Sequence, residues 1–589
     1  MSQNFFLDIF GNPWVCYILL MLGIYFLLYG LSVQKKEIIG VAGGCLGFSI
    51  IGIIIIGNNF PSIILIISGV ILFIIEVEVE DIPEKIPTIA GIGCVIFGGI
   101  FFLKFLSAPM APQDFILIWI ILLNFTIVLS VIFGWITLRS IEMAPPKFSP
   151  WPGEIGLTQS EIKPEGNVYI RGEIWAAKCI EGHCPISKDQ KVKIMRIEEE
   201  HLIVKPVKDA ELSPFGVLTD RNPKIEEIET IVPMGARWLR LNYAAWAIVE
   251  RKKGVYSFDP GTDGIVERWK EEGIHILNLI SYGNKHYTGS DNVMVAPVGE
   301  EQIEGYTNFV RAIINHYKHW TKCWEIWNEP NISLFWKPHR EPAAYCALLK
   351  AAYKTAKETD PECTVVGCSL SRIDLSFLER MLKLGAGRYM DVVSIHPYRP
   401  RFKKSCESSG YLEEIYALRN LMSRYGVKIP IWITEMGWTT SKHHSARPVT
   451  QEVQAAYLVR MYVLSIVAGI ERIIWYKHSD INQFGLMLEN FTPKPSYNAY
   501  KTMTRLLANT ICEGLKKTYG GAYIVKFRKL DQNIWVCWIP KGLEDIKING
   551  RKIERWDLFG KSTKSEKGPI TITLGSSPIY VVGNDLSHL

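Results

Sequence analysis

The sequence predicts a multidomain protein: a helical transmembrane region (1–138), a Pro-rich linker (139–152), a small β-barrel (153–210), a (β/α)8 barrel (211–510) and a C-terminal β-sandwich (511–589). Three observations carry that division. Long apolar runs stop before residue 139, short runs of period two fill the segment after it, and strand-then-helix units repeat from there to residue 510. A chain of 589 residues is too long for one hydrophobic core, and at about 100 to 200 residues per domain it holds three or four folded units. Hydrophobic residues make up 48% of it and the mean hydropathy is positive, yet charges recur at ordinary spacing beyond residue 149, so the apolar excess belongs to the N-terminus. The formal net charge of +6 is small and is not gathered into a basic stripe, which excludes nucleic acid as a partner.

Five apolar stretches, at 12–33, 38–57, 60–76, 87–106 and 115–137, make up the membrane region, most of them long enough to cross about 30 Å of hydrocarbon. The third is short and comes after the second with only Asn58-Asn59-Phe60-Pro61-Ser62 between, so these two form a tight hairpin or a partly re-entrant pair. A cleaved signal peptide does not fit, because several further spans come after the first and no short apolar core leads to a small-residue cleavage site. With five spans, Lys35, Lys36, Lys85, Arg139 and Lys147 fall on one side and only Lys104 on the other. Excess Lys and Arg marks the cytoplasmic face, which places the soluble part of this integral membrane protein in the cytoplasm, with the lipid bilayer as its first partner.

Twelve cysteines are spread thinly and imply no disulfide framework. Cys16, Cys45 and Cys94 lie in apolar runs, where a thiol serves as a small hydrophobe. Cys179 and Cys184, in Cys-Ile-Glu-Gly-His-Cys, are spaced either as a metal half-site or as two incidental thiols in a loop. No second Cys/His pair at finger-like spacing completes a metal site, and nothing in the sequence calls for a metal or cofactor.

Ala144-Pro-Pro-Lys-Phe-Ser-Pro-Trp-Pro152 cannot continue a helix and ends the membrane region. The runs Asn167–Ile170, Gly172–Trp175, Lys191–Ile194 and His201–Val204 alternate in the manner of short strands, and Gly and charged turns separate them, as in a five-stranded barrel that stands apart from the chain beyond residue 210. This part resembles the NfeD family, whose membrane region precedes an OB-like domain. The likeness rests on Gly153 and Gly156, Pro164-Glu-Gly166, Gly172 with Trp175-Ala176-Ala177, and Leu202-Ile-Val-Lys-Pro206. It implies a docking domain for a stomatin-like membrane partner; longer NfeD proteins carry an N-terminal protease, which is not expected here.

From Ser213 onward, strands are expected near 214–218, 236–241, 275–281, 322–327, 364–368, 391–396, 430–434 and 471–475, with amphipathic helices between them. Function on a (β/α)8 barrel sits at the C-terminal ends of strands. The fourth, Cys323-Trp-Glu-Ile-Trp327, runs straight into Asn328-Glu329-Pro330, and the seventh, Ile429-Pro-Ile-Trp-Ile-Thr434, into Glu435-Met-Gly-Trp438. Glycosidic bond cleavage needs two such rim carboxylates, one to protonate the leaving oxygen and one to attack or to activate water. The plainer alternative is two rim glutamates in ordinary salt bridges.

These residues resemble glycoside hydrolase clan A, with the acid/base after strand four in Asn-Glu-Pro and the nucleophile after strand seven. Closer likeness to family 39 comes from Trp238-Leu-Arg-Leu-Asn242, Trp246, Glu250, Gly254-Val-Tyr-Ser-Phe258 and Ile280-Ser-Tyr-Gly283. The resemblance implies Glu329 as acid/base, Glu435 as nucleophile and Asn328 as the holder of the sugar 2-hydroxyl. Arg240 is then the cation beside the nucleophile, and His396 and Tyr398 the pair that positions it. Arg240 can instead brace the rim, and His396 can be a satisfied inner-barrel histidine.

Apolar neighbours such as Trp327, together with Glu435, should keep Glu329 protonated, while Arg240 and Tyr398 keep Glu435 charged. Trp246, Trp336, Trp438 and Trp475 stand near strand ends, where an indole face can stack on a sugar or simply fill the core; Trp475 is the expected sugar platform. The strands after residue 511 resemble the β-sandwich that often comes after clan A barrels, and packing against the barrel is their expected role. The function so implied is membrane-anchored retaining hydrolysis of a carbohydrate. The competing functions are a non-catalytic scaffold whose barrel binds glycan and a transglycosylase using the same residues.

Overall fold

The computed structural model describes residues 149–589 apart from 200, 208–212, 220–224, 400–404, 442–447, 480–482, 530–531 and 589. The five expected membrane spans and most of the linker lie outside the described residues. Among the described residues no helix is long and apolar enough to cross a membrane. The chain divides into two compact units, Met1–Ala144 and Pro145–Leu589, of which the second is described here.

Its first element is a closed five-stranded barrel of β1 (Ile155–Thr158), β2 (Glu165–Ile170), β3 (Glu173–Cys179), β4 (Lys191–Glu198) and β5 (His201–Pro206), in the order β1-β2-β3-β5-β4. The period of two places Val168, Ile170, Val192, Ile194, Leu202 and Val204 on the inside. Closure is tight at β1, where a Cβ on Gly156 would meet Val168 Cγ1 at 2.3 Å. One expectation is corrected here: Cys179 and Cys184 are joined as a disulfide, with Cα atoms 5.7 Å apart. The turn at Gly182, with φ of 82°, folds the loop back on itself and brings the two thiols together.

Eight parallel strands then close the main barrel: β6 (Phe215–Leu218), β7 (Trp238–Leu241), β8 (His275–Ile280), β9 (Cys323–Ile326), β10 (Thr364–Ser371), β11 (Val392–His396), β12 (Ile431–Ile433) and β13 (Arg472–Trp475). They fall at the expected positions. Trp238, Leu277, Val366, Val392, Trp432 and Ile474 fill the inner layer. At the N-terminal mouth the Arg472 guanidinium lies 4.8 Å from the Trp238 ring, and His275 stacks on the same indole at 4.9 Å. Helices begin where caps allow: Asp259 accepts from Gly261 and Thr262 ahead of Pro260–Glu271, and Asp374 from Phe377 at the start of Leu375–Lys383.

The small barrel packs onto this N-terminal face. Lys193 on β4 pairs with Glu471 at the foot of β13, and the Trp151 indole N–H donates to the Ile429 carbonyl at 2.7 Å. Glu154 accepts from Arg171 at 3.0 Å and from Arg419 at 3.3 Å. Burial alone would raise the Glu471 carboxyl, but Lys193, Arg472 and the Trp432 indole N–H bring it down to about 2. The two barrels thus share a seam of paired charges.

The C-terminal strands differ from expectation. β14 (Ile511–Lys517), β15 (Tyr523–Lys529), β16 (Gln532–Trp538), β17 (Glu544–Trp556), β18 (Ile570–Leu574) and β19 (Ile579–His588) form one antiparallel sheet, β14-β15-β16-β19-β17-β18, in place of a two-sheet sandwich. Irregularities at Asn549/Arg551 and Arg551/Glu554 bend the long β17, which pairs with β18 along its first half and β19 along its second. One face, including Val525, Phe527, Val536 and Trp538, joins the core of the main barrel, while Trp535, Ile546, Ile572 and Val581 pack within the curl.

Candidate active site

At the end of β9 the backbone leaves the strand region. Trp327 and Glu329 have φ of 66° and 44°, and on neighbouring β10 Cys368 and Ser369 have φ of 79° and 43° where its register to β11 shifts. Left-handed backbone at a non-glycine residue costs on the order of 1 to 3 kcal/mol and persists only where surroundings hold it. Here the Glu329 N–H donates to the Ser369 carbonyl at 3.0 Å, and the Trp327 indole to the Phe335 carbonyl at 2.8 Å. Asn331 bonds the Ser371 backbone through both ends of its amide, at 3.0 and 2.9 Å. The Glu329 side chain is thereby aimed over the barrel mouth, 7% exposed.

Opposite it, Glu435 comes just after β12. Its two oxygens are held differently: Oε1 accepts from Arg240 Nη1 at 2.5 Å and Oε2 from the Tyr398 hydroxyl at 3.1 Å. Arg240 also reaches Glu325 Oε2 through Nε at 2.5 Å and Asn328 Oδ1 through Nη2 at 2.9 Å. Burial would lower the guanidinium, but Glu325 and Glu435 more than offset it and raise Arg240, so it stays charged. The Tyr398 phenol is pushed well up by burial and by Glu435, Tyr476 and Glu329, and therefore remains a donor. One ligand atom each of Glu329, His396 and Glu435 lie within 4.8 Å of one another, so the carboxylates face each other at close range.

Arg240, Asn328, Glu329, His396, Tyr398 and Glu435 are brought together. His396 differs in one respect from the expected pair for Glu435: its Nδ1 is 3.0 Å from Glu329 Oε1 and 3.8 Å from Glu435 Oε2, so it serves the other carboxylate. Trp246 and Trp475 are not brought to the open site. Trp246 is fully buried between Tyr287 and Phe309 with its N–H on Glu250 at 2.5 Å. Trp475, the expected platform, is also fully buried; its N–H donates to the Phe484 carbonyl at 3.1 Å and its ring lies 6.1 Å from Trp438. Each indole closes a shell of rings under a loop, which leaves it no open face for a sugar.

Two parts of the site escaped the sequence. Tyr476 and Phe484 form a corner with Tyr398, with ring centroids 6.4 and 6.3 Å from it, beside Glu435. Glu325, fully buried within β9, accepts from Arg240, Ser369, Ser394 and Thr434. Burial would raise its carboxyl, but the Arg240 guanidinium and the hydroxyls of Ser369 and Thr434 hold it below the ordinary value. A signal existed: a carboxylate in the middle of the apolar run Cys323–Trp327, on the side that faces the barrel lumen, needs a cation.

A barrel carrying two facing rim carboxylates has what glycosidic bond cleavage requires, and comparison with known proteins finds a glycosyl hydrolase match over part of the chain. Residues 283–500 match the family model of the glycosyl hydrolase catalytic core, 14–139 that of the NfeD integral membrane domain and 151–206 that of the NfeD-like C-terminal, partner-binding domain. The chain therefore joins NfeD membrane and partner-binding domains to a glycosyl hydrolase catalytic core. A membrane-bound protease of Pyrococcus horikoshii is 28% identical over 199 residues, a stretch that is 33% of this chain and 44% of that protein. The chain thus spans less than half the length of that relative. A family 39 glycoside hydrolase from the gut symbiont Bacteroides cellulosilyticus superposes with a TM-score of 0.54 at 22% identity, over 73% of this chain and 94% of its own, which shows a common fold. A glucosidase from Croceicoccus marinus gives 0.49 at 14% identity, over 64% and 97%.

Proposed function

We propose that the protein is a membrane-anchored retaining glycoside hydrolase in which Glu435 is the nucleophile and Glu329 the acid/base. The observation that carries this reading is the unequal dressing of two facing carboxylates. Glu435 receives a guanidinium and a phenol, both of which favour its charged form, whereas among the described residues Glu329 has only the His396 ring nitrogen at hydrogen-bond distance. Their approach, within 4.8 Å, is on the scale of the roughly 5 to 5.5 Å of retaining enzymes and well under the roughly 6.5 to 9.5 Å that inverting enzymes keep for a water. Glu329 gives its proton to the departing oxygen as Glu435 attacks the anomeric carbon. It then takes a proton from the water that breaks the glycosyl ester. Asn328, whose carbonyl is tied to Arg240, presents its amide N–H groups to a sugar hydroxyl.

The NfeD-like barrel is read as the docking domain for a membrane partner of the stomatin kind. The side of the membrane is read from the disulfide. Cys179–Cys184 belongs to an oxidising compartment, which outweighs the Lys/Arg balance of the short loops, and we place the catalytic unit outside the cytoplasm.

The test is turnover by the full-length protein in detergent on a panel of 4-nitrophenyl glycosides and polysaccharides, with the first-formed anomer read by proton NMR. Retention on any substrate supports the reading. An inverted product refutes the mechanism, and binding without turnover across the panel favours a glycan-binding scaffold.

A further inference from the structure

The polar layer beneath the two rim carboxylates fixes where one proton lies. The Thr434 hydroxyl has a single hydrogen and three neighbours: Glu325 Oε1 at 2.7 Å, Ser394 Oγ at 2.5 Å and His396 Nε2 at 2.9 Å. Glu325, held ionised by Arg240, has no hydrogen to give, and an oxygen-to-carboxylate contact of 2.7 Å without a proton between is repulsive. The Thr434 hydrogen therefore points at Glu325. Ser394 has its own donor use, either to Glu325 at 3.0 Å or to Thr434. Nothing on Thr434 remains to donate to His396, so the Nε2 contact is made only if Nε2 carries the hydrogen and Thr434 accepts it. In the neutral ring Nδ1 is then bare, and its neighbour at 3.0 Å, Glu329 Oε1, must supply the proton.

We propose that Glu325 is a positioning residue that, through Thr434, locks His396 as the Nε2–H tautomer, so that Nδ1 accepts from Glu329 and keeps that carboxyl protonated before substrate arrives. This rests on the reading of Glu329 as the acid. Among the described residues, the charged and titratable groups around the His396 ring are Glu325 and Glu329 from β9 and its end, Glu435 after β12, Arg240 on β7 and Tyr398. Two of the carboxylates, Glu325 and Glu435, are paired with Arg240. That leaves Glu329 as the carboxylate whose proton can move to the ring. Reversing the tautomer would place an Nδ1–H against Glu329 and favour its ionised form.

Selective 15N-histidine labelling of the full-length chain in detergent reads the tautomer directly, with the His396 signals assigned by their loss in His396→Gln. At neutral pH the expected pattern is a protonated Nε2 and a bare, hydrogen-bonded Nδ1; a neutral Nδ1–H ring or an imidazolium overturns the proposal. In Glu325→Gln the amide oxygen must face Arg240, so its NH2 faces the hydroxyls and frees the Thr434 hydrogen to turn to Nε2. The ring should then convert to the Nδ1–H form. On the unactivated oligosaccharide turned over fastest, whose poor leaving group needs the acid, the alkaline limb of kcat/KM should fall by about one pH unit or more, a tenfold loss of protonated acid. Thr434→Val should do the same and Thr434→Ser should restore the limb, a rescue that a merely structural role would not give. An unmoved limb in both variants overturns the proposal. Should neither variant fold, the tautomer of the unmodified chain still decides it. If the unmodified protein hydrolyses nothing, the functional reading fails while the tautomer remains a separate result.

Discussion

Replacing Glu471 by Gln should weaken the protein at neutral pH by about 3 kcal/mol, and the loss should disappear in strong acid. The carboxyl stands at about 2 in the folded chain against 4.5 as the ordinary value, and a pK unit corresponds to about 1.4 kcal/mol, which gives the figure. Its side chain is 2% exposed, so solvent screening takes little of this away. The folded value is depressed, so the stabilisation is fully present above 4.5 and is lost as pH falls from there through about 2. With an unfolding entropy of about 2.1 cal/mol/K per residue, a unit the size of Pro145–Leu589 should lose about 3 °C in Tm. The assay is thermal unfolding of the detergent-solubilised chain by tryptophan fluorescence at several pH values between 7 and about 2.5, for both proteins. A variant that loses less than about 1 kcal/mol at pH 7, or whose Tm runs parallel to the unmodified protein down to pH 2.5, would refute the argument that this ion pair holds the small barrel to the foot of β13.

Glu435→Ala should abolish nearly all turnover while leaving Tm within a few degrees, and added azide should restore some turnover with inverted product, read as the anomer by NMR. Glu329→Ala should slow glycosides with poor leaving groups far more than 4-nitrophenyl glycosides, since the latter need little protonation; equal loss on both would remove Glu329 from the acid role. Trp475→Ala should cost about 3 to 5 kcal/mol of stability, because it opens a cavity under the Phe484 loop. A fall in sugar affinity with stability unchanged would instead return Trp475 to the site. Cys179 and Cys184 in intact cells should resist an alkylating reagent until a reductant is added; free reactive thiols without reduction would place the unit in a reducing compartment.

How much of this could be read from the sequence depends on what each feature requires. Glu329 and Glu435 were legible because a residue just past a short apolar strand is carried to the barrel rim by strand direction alone, whatever the packing beneath. The eight strands were legible for the same reason, since each is a local run of fixed period. The C-terminal sheet was not. Its strands were found, but whether they stack as two sheets or curl as one depends on bulges in β17 that leave no mark on the alternation. Trp475 misled because its position at the end of β13 fixes where its Cα lies and not what covers its ring; the loop carrying Phe484 decides that.

Glu325 is the more instructive miss. Four residues before Glu329, it looks like a single polar interruption of an apolar strand, and its meaning appears only when β7, β10, β11 and β12 deliver Arg240, Ser369, Ser394 and Thr434 to the same point. None of the three hydroxyl residues is distinctive alone. A fully buried carboxylate without them would be untenable, so its presence within β9 already demanded a cation and several hydroxyls from neighbouring strands. Arg240 meets that demand for Glu325 and for Glu435 at once. The cation that lets a carboxylate survive in the barrel core thus also holds the proposed nucleophile, and stability and chemistry here rest on one side chain.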